Sequence, residues 1–206
     1  MVSSLKNMVL VLTTITLISS AAVGGVYLIT KEPIANAKVA AVNDALDVVL
    51  PDFDTTTTQT IEVNDSPVVA YTATLEGKVV GYAVEGVSKN GFGGAVRLMV
   101  GFDTNGTILN VNVLEQKETP GLGTKMADEG NPLLASIKDK KAAELNLTVR
   151  KDGGDIDALT AATISSRAYA EAVAIASEAF EVAAGWQSEA DDVNTGASKQ
   201  EGGTNE

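Results

Sequence analysis

The sequence predicts an α+β protein: one membrane-spanning helix, then a single domain with a central antiparallel sheet flanked by helices. Three observations predict it. Met8 to Ile29 is an uncharged, mostly apolar run. Val68 to Glu115 is rich in β-branched residues and broken by turn dipeptides. Arg167 to Ala184 is Ala-rich, with apolar residues at helical spacing. A chain of 206 residues with 45% hydrophobic content is long enough for one substantial domain plus appendages.

The apolar run holds 22 positions between Lys6 and Lys31-Glu32. As a helix they reach ~33 Å, enough for a bilayer core of ~30 Å. Its scattered Thr and Ser are tolerable because such hydroxyls bond back to helix carbonyls. Ala35-Asn36-Ala37 has the small-x-small form of a cleavage site. Secretory apolar regions are shorter, ~7–15 residues, so the length favours an uncleaved anchor. Lys6 and the free amine precede the span and nothing strongly basic follows, which favours N-inside with the bulk outside. The expected division is a cytoplasmic 1–7, a transmembrane 8–30, an extracytoplasmic domain over 31–186 and a disordered acidic tail over 187–206.

Val39, Val42, Leu46, Val49 and Leu50 fall at helical spacing and Pro51 ends them, predicting a short amphipathic helix or stalk over 37–50. The Thr-rich Asp54 to Ser66 reads as irregular or as an edge strand. Val68–Leu75 and Lys78–Val84 flank Glu76-Gly77, a two-residue hairpin signal. Gly94–Phe102 and Ile108–Glu115 form a second hairpin around an Asn105-Gly106 turn. A glycine-rich loop, Ser88 to Gly94, joins the two hairpins. Asn131-Pro132 is an N-cap/N1 pair for a helix through about Leu145, with Lys138, Lys140 and Lys141 on a solvated face. In the last helix Tyr169, Val173, Ala176 and Phe180 make one stripe, which should lie on the sheet.

Composition removes whole classes of chemistry. With no Cys and no His, the chain has no disulfide, no Cys/His zinc site, no thiolate-held iron–sulfur cluster and no Ser-His or Cys-His pair. Redox work would then fall to an organic cofactor. A net charge of −12 argues against a nucleic-acid groove.

The chain changes character at Asp157-Ala-Leu-Thr-Ala-Ala-Thr-Ile-Ser-Ser166. Thr160, Thr163, Ser165 and Ser166 crowd the start of a helix, where backbone N–H groups lack partners. They read either as an N-cap or as an anion site in which small residues let backbone donors reach a phosphate.

Asp157-x-x-Thr160-Ala161-Ala162-Thr163-x-Ser165 resembles the signature of the FMN-binding domain family. Domains of that family occur in the G subunit of the Rnf electron-transport complex and the C subunit of the sodium-pumping NADH:quinone reductase. The resemblance implies FMN carried through a phosphoester on Thr163, attached by a separate flavin transferase, with Thr160, Ala161, Ala162 and Ser165 around it. Ala161 stands where the family has Gly, and its methyl disfavours a positive φ. Asp157 is expected to orient the turn by side-chain-to-backbone bonds.

Taken alone, Lys117 to Lys125 is a strand exit and loop, with Pro120-Gly121 as its turn. Glu118-Thr119-Pro120-Gly121-Leu122-Gly123 is similar to a second signature of the same family, about forty residues before the first. By that resemblance Glu118, Thr119, Gly121, Leu122 and Gly123 help to wall the FMN. Many members have a His or other polar residue before Lys117; here it is Gln116. The glycine-rich loop resembles the family's approach to the flavin.

The resemblance implies a membrane-anchored subunit that relays electrons through covalent FMN, among other integral membrane subunits, with the flavin domain on the periplasmic side of the inner membrane. The short chain favours the Rnf complex over the quinone reductase. The remaining readings are an anchored flavoprotein serving another reductase, a non-redox assembly module whose Thr163 is a cap, and an enzyme reducing a small molecule at the flavin.

Overall fold

Turns built from residues that accept positive φ fold the middle of the chain into one sheet. The computed structural model describes residues 5–185. The strands are β1 Thr55–Val63, β2 Ser66–Leu75, β3 Lys78–Ser88, β4 Val96–Phe102 and β5 Ile108–Glu115. They lie in the order β1-β2-β3-β4-β5, each antiparallel to the next. Between β2 and β3, Glu76 and Gly77 take φ of 50° and 77°, as a two-residue hairpin turn requires. Asn64 and Asp65, at 49° and 57°, make a like turn between β1 and β2. The Thr-rich segment is therefore an edge strand, paired to β2 along its whole length. Between β4 and β5 the Asp103 carboxylate accepts the Asn105 and Thr107 amides at 2.8 and 2.7 Å, and Gly106 takes φ 78°.

The chain divides into two units, 1–43 and 44–206. The first is described through α1, Leu5–Val49, whose described residues before 42 are all exposed. Thr14, Thr16 and Thr30 donate to carbonyls four residues back, at 2.8 to 2.9 Å, so these hydroxyls are satisfied inside the helix. Among the described residues α1 is the one helix long and apolar enough to cross a membrane. The sequence reading separated a span from a short helix over 37–50; the structure runs them together through Pro33. Proline costs the helix one N–H, and Ala35, Ala37, Ala40 and Ala41 then carry it on without a stop residue.

In the second unit the sheet is covered on both faces. On one side lies α3, Thr163–Ala183, which buries Tyr169, Val173, Ala176 and Phe180 as the stripe predicts. It begins four residues before the expected Arg167. Phe180 stacks on Phe102 at 4.6 Å and meets Tyr82 edge-on at 5.4 Å. A Cβ on Gly86 would lie 1.9 Å from the Ala172 carbonyl, so the helix backbone sits directly on β3. The last turn of α1 covers the opposite face with Ala45, Leu46 and Val49, where a Cβ on Gly101 would lie 2.0 Å from the Val49 carbonyl.

The helix expected from Pro132 to about Leu145 is shorter. α2 is Pro132–Ile137, capped by Asn131, whose side chain accepts the Leu134 amide at 3.0 Å. Lys138 turns extended, Asp139 takes φ 60°, and Ile108 at the start of β5 exchanges two hydrogen bonds with Asp139 and Lys140. Pairing to the sheet edge wins over further helix, and Ala142–Glu144 returns only as a 3-10 turn. Nor is Lys140 simply solvated, since its ammonium donates to the Ser136 carbonyl at 2.7 Å and satisfies a helix C-terminus. The expected tail over 187–206 lies outside the described residues.

Candidate functional site

Three segments of small residues meet at a cleft of about 360 Å³. Phe92 comes from the glycine-rich loop; Thr119, Leu122 and Gly123 from the loop after β5; Ala161, Ala162, Thr163, Ile164 and Ser165 from the start of α3. Phe92, Leu122 and Ile164 are among the few large apolar residues of the second unit left exposed, and all three face this cleft.

Close approach of backbones shapes the walls. A Cβ on Gly93 would lie 1.7 Å from the Lys117 carbonyl, so the glycine-rich loop rests on the chain leaving β5. Gly121 takes φ 75° and its amide donates to Thr124 Oγ1 at 2.9 Å, closing the Thr119–Gly123 loop. Beneath both lies Glu118, 5% exposed, whose carboxylate accepts the Ser165 hydroxyl at 2.5 Å and the Gly93 amide at 3.1 Å. Its own amide donates to Gln116 Oε1 at 2.7 Å.

The start of α3 is open to a ligand. Ala161 occupies φ 60°, so the alanine adopts the backbone conformation its methyl disfavours. Ala162 is the N-cap residue and no side chain caps the helix. Ser166 is used structurally, accepting the Leu159 amide and donating to the Ala162 carbonyl, both at 2.9 Å. Ser165 is committed to Glu118. Thr160 and Thr163 hydroxyls have no hydrogen-bond partner among the described residues; Thr160 is exposed and off the cleft, Thr163 half-buried and on it. The amides of Thr163, Ile164 and Ser165 likewise have no acceptor among the described residues, as the first turn of a helix dictates. The cap reading therefore fails: no side chain meets the first amides of this helix.

Two nearby arginines are already paired. Arg167 grips Asp152 with two bonds of 2.7 and 2.8 Å, and that hydrogen bonding holds the Asp152 carboxyl below its usual range. Asp157 pairs with Arg150 at 2.9 Å, and its amide donates to Ser136 Oγ. Its carboxylate thus makes an ion pair and not the side-chain-to-backbone bonds expected of it. No cluster of acidic residues suited to a metal occurs among the described residues.

Comparison with known proteins agrees with this geometry. The FMN-binding domain model matches residues 91–178, which include the whole cleft. The G subunit of the ion-translocating oxidoreductase complex of Vibrio atlanticus is 32% identical over 185 residues, 84% of this chain and 88% of that protein. The chain belongs to this family of G subunits. The G subunit of Shewanella baltica is 42% identical over 112 residues, and that of Escherichia coli 41% over 106. These two alignments cover 53% and 52% of the relatives' lengths, so in them the chain spans about half of the protein it matches.

Of the residues singled out in the sequence, Thr119, Leu122, Gly123, Ala161, Ala162, Thr163 and Ser165 line the cleft; Glu118, Gly121 and Thr160 stand off it. Phe92 and Ile164 complete the wall without having been marked. Phe92 had a signal, a lone aromatic among glycines; Ile164 had none beyond its place between two marked residues.

Proposed function

We propose that this chain is the membrane-anchored flavoprotein subunit of an ion-translocating ferredoxin:NAD oxidoreductase complex of the Rnf type, carrying FMN covalently on Thr163 and relaying electrons to other membrane subunits. The observation that carries the reading is the Thr163 hydroxyl: unengaged, on the cleft wall, at a helix start with three free amides and no cap. FMN when bound supplies transfer of one or two electrons. The chain's own groups do the rest. Thr163 Oγ1 would give up its proton and become the ester oxygen to phosphorus, the transferase breaking the phosphoanhydride of a dinucleotide flavin donor and releasing its nucleotide half. The amides of Thr163 to Ser165 face the negative charge of the phosphodiester. Phe92, Leu122 and Ile164 offer apolar surface that excludes water from a planar ring system. The residues fit the group: three backbone amides without a protein acceptor and an unengaged Thr163 hydroxyl lie at a cleft of about 360 Å³ walled by Phe92, Leu122 and Ile164.

With no His and no Cys in the chain, imidazole- or thiolate-held redox metals have no ligands here, and an organic cofactor is the fitting electron carrier. The domain division we infer is a cytoplasmic 1–7, a membrane span within α1 over 8–30, the flavin domain over 31–186 outside the cytoplasm, and the tail 187–206. A flavin transferase acting on the outer side would complete the protein, and the ester would prevent loss of the flavin there. The quinone-reductase alternative is not favoured, since the relatives compared are named as G subunits of the ion-translocating complex.

The test is to co-express the full chain with a flavin transferase, denature it and read flavin fluorescence in the gel band. Thr163→Ala should leave the band dark and Thr160→Ala should leave it bright. A dark wild-type band beside a control protein that is flavinylated overturns the covalent assignment.

A further inference from the structure

Glu118 is a buried carboxylate without a counter-ion. It makes no ion pair among the described residues, and its oxygens are held by one hydroxyl and one amide. Such a group costs folding free energy unless its neutral donors are well placed. Those donors come from both walls, Gly93 in the glycine-rich loop and Ser165 in the first turn of α3; the loop's other hold on α3 is further along the helix, where Glu171 accepts Ser88 Oγ at 2.6 Å and Asn90 Nδ2 at 2.9 and 3.0 Å. Two glycines also crowd it, although the nearest atoms to their Cβ positions are the Gly94 carbonyl, 2.2 Å from that of Gly91, and the Ser165 hydroxyl, 2.5 Å from that of Gly123. A Cβ on Gly91 would lie 2.6 Å from Glu118 Oε1, and one on Gly123 would lie 2.7 Å from Glu118 Cβ and 2.9 Å from Oε2.

We propose that Glu118 is the positioning residue of the cleft, a post behind the wall that fixes the gap between the glycine-rich loop and the start of α3. The proposal rests on the flavin reading and assigns Glu118 a role away from the cofactor. It also fixes a proton. Because Glu118 takes the Ser165 hydrogen, Ser165 can face the cleft only as an acceptor, so the phosphate is left to the backbone amides and Ser165 donates nothing to it.

The test compares Glu118→Ala, Glu118→Asp and Glu118→Gln in the full chain. Gln spans the same distance: its Oε1 accepts from Gly93 and its Nε2 donates to Ser165. Asp is one methylene short and reaches one partner only. All three are first checked for a cooperative thermal melt, then loaded by the transferase. Ala and Asp should load roughly tenfold or more slowly, as expected when a reacting group is held loosely, and Gln should recover most of the rate. A folded Asp variant loading at the wild-type rate, or Gln loading no faster than Ala, overturns the proposal. Amide exchange in the flavin-free proteins gives a second readout. In Asp and Ala, the Gly93 amide and the first hydrogen-bonded amides of α3, from Ser166 to Tyr169, should exchange about tenfold faster while the strands keep their protection. If the wild type itself takes no flavin, the flavin reading fails and exchange alone decides: a rise confined to those two segments supports the post, an unchanged or uniform pattern removes it.

Discussion

A Cβ placed on Gly123 would lie 2.5 Å from the Ser165 hydroxyl, although the two residues belong to different signatures of the sequence. The same Cβ would meet Glu118 at 2.7 Å. Glycine is thus required here by close approach and not by φ. Gly123→Ala should push the Thr119–Gly123 loop off α3, costing about 1–3 kcal/mol as overpacking does. Urea melts of the full chain should show the loss, and flavin loading should fall with it. Unchanged stability would mean that the loop yields freely and is no wall at all.

Ala161→Gly tests the opposite kind of constraint. Ala161 sits at φ 60°, a conformation that costs a residue with a Cβ about 1–2 kcal/mol. Glycine relieves that cost but widens the unfolded ensemble, which returns up to ~1 kcal/mol. The expected net is a gain of roughly 0.5 kcal/mol, with loading at Thr163 retained. The departure from the family pattern is then a tolerated strain and not a lost site. A destabilised Ala161→Gly would show that the methyl packs usefully against the cleft.

Local chemistry made much of this legible in the sequence. Glu76-Gly77 and Asn105-Gly106 named their turns because each glycine accepts the positive φ required, and Asn64-Asp65, residue types that also tolerate it, carried a like signal one hairpin earlier without being read. The stripe from Tyr169 to Phe180 named the face of α3 because helical period alone decides it. What stayed hidden depends on contacts distant in sequence. Ser165 meets Glu118 across 47 residues, and α2 stops where Ile108 captures Asp139 and Lys140. No window of sequence contains either partner set. Asp157 misled for a nearer reason: Arg150, only seven residues earlier, folds back beside it and takes its carboxylate.

Acid should probe the β4–β5 turn. Desolvation pushes the Asp103 carboxyl up, but the Thr107 and Asn105 hydrogen bonds together outweigh it and hold it below its ordinary 3.8. A carboxyl depressed in the folded state adds stability that is complete above the unfolded pKa and disappears as pH falls through the folded one. Asp103→Ala should therefore cost about 1 kcal/mol at pH 7, a modest value because the turn is exposed to solvent. The gap between variant and wild type should close as pH drops below about 4. Parallel melts from pH 7 to pH 2.5 check it; a constant gap would mean the side chain acts by shape and not by charge.

The strongest electrostatic commitment lies away from the cleft, on the sheet face that also carries Gly101. Glu85 on β3, with 5% of its side chain exposed, takes Arg97 from β4 through Nε at 2.9 Å and through Nη2. Its other oxygen accepts the Tyr71 hydroxyl from β2 at 2.9 Å. Arg97→Ala would leave a buried carboxylate with one neutral donor and should cost roughly 3 kcal/mol, toward the low end for a buried pair because Arg97 is partly solvated. Adding Glu85→Gln should recover part of that loss, since the uncompensated charge is then gone. Tyr71 reports the same network from the alkaline side. Burial first, then the bond to Glu85, push its hydroxyl up to about 12 from 10.0. A pKa raised on folding gives stability that is whole below the unfolded value and lost as pH climbs to the folded one, so the wild type should weaken between pH 10 and about 12. Tyr71→Phe should flatten that decline in part, Tyr169 keeping the remainder because burial raises its pKa as well. An alkaline decline of unchanged slope in Tyr71→Phe would place the titrating group elsewhere and leave Glu85 held by Arg97 alone.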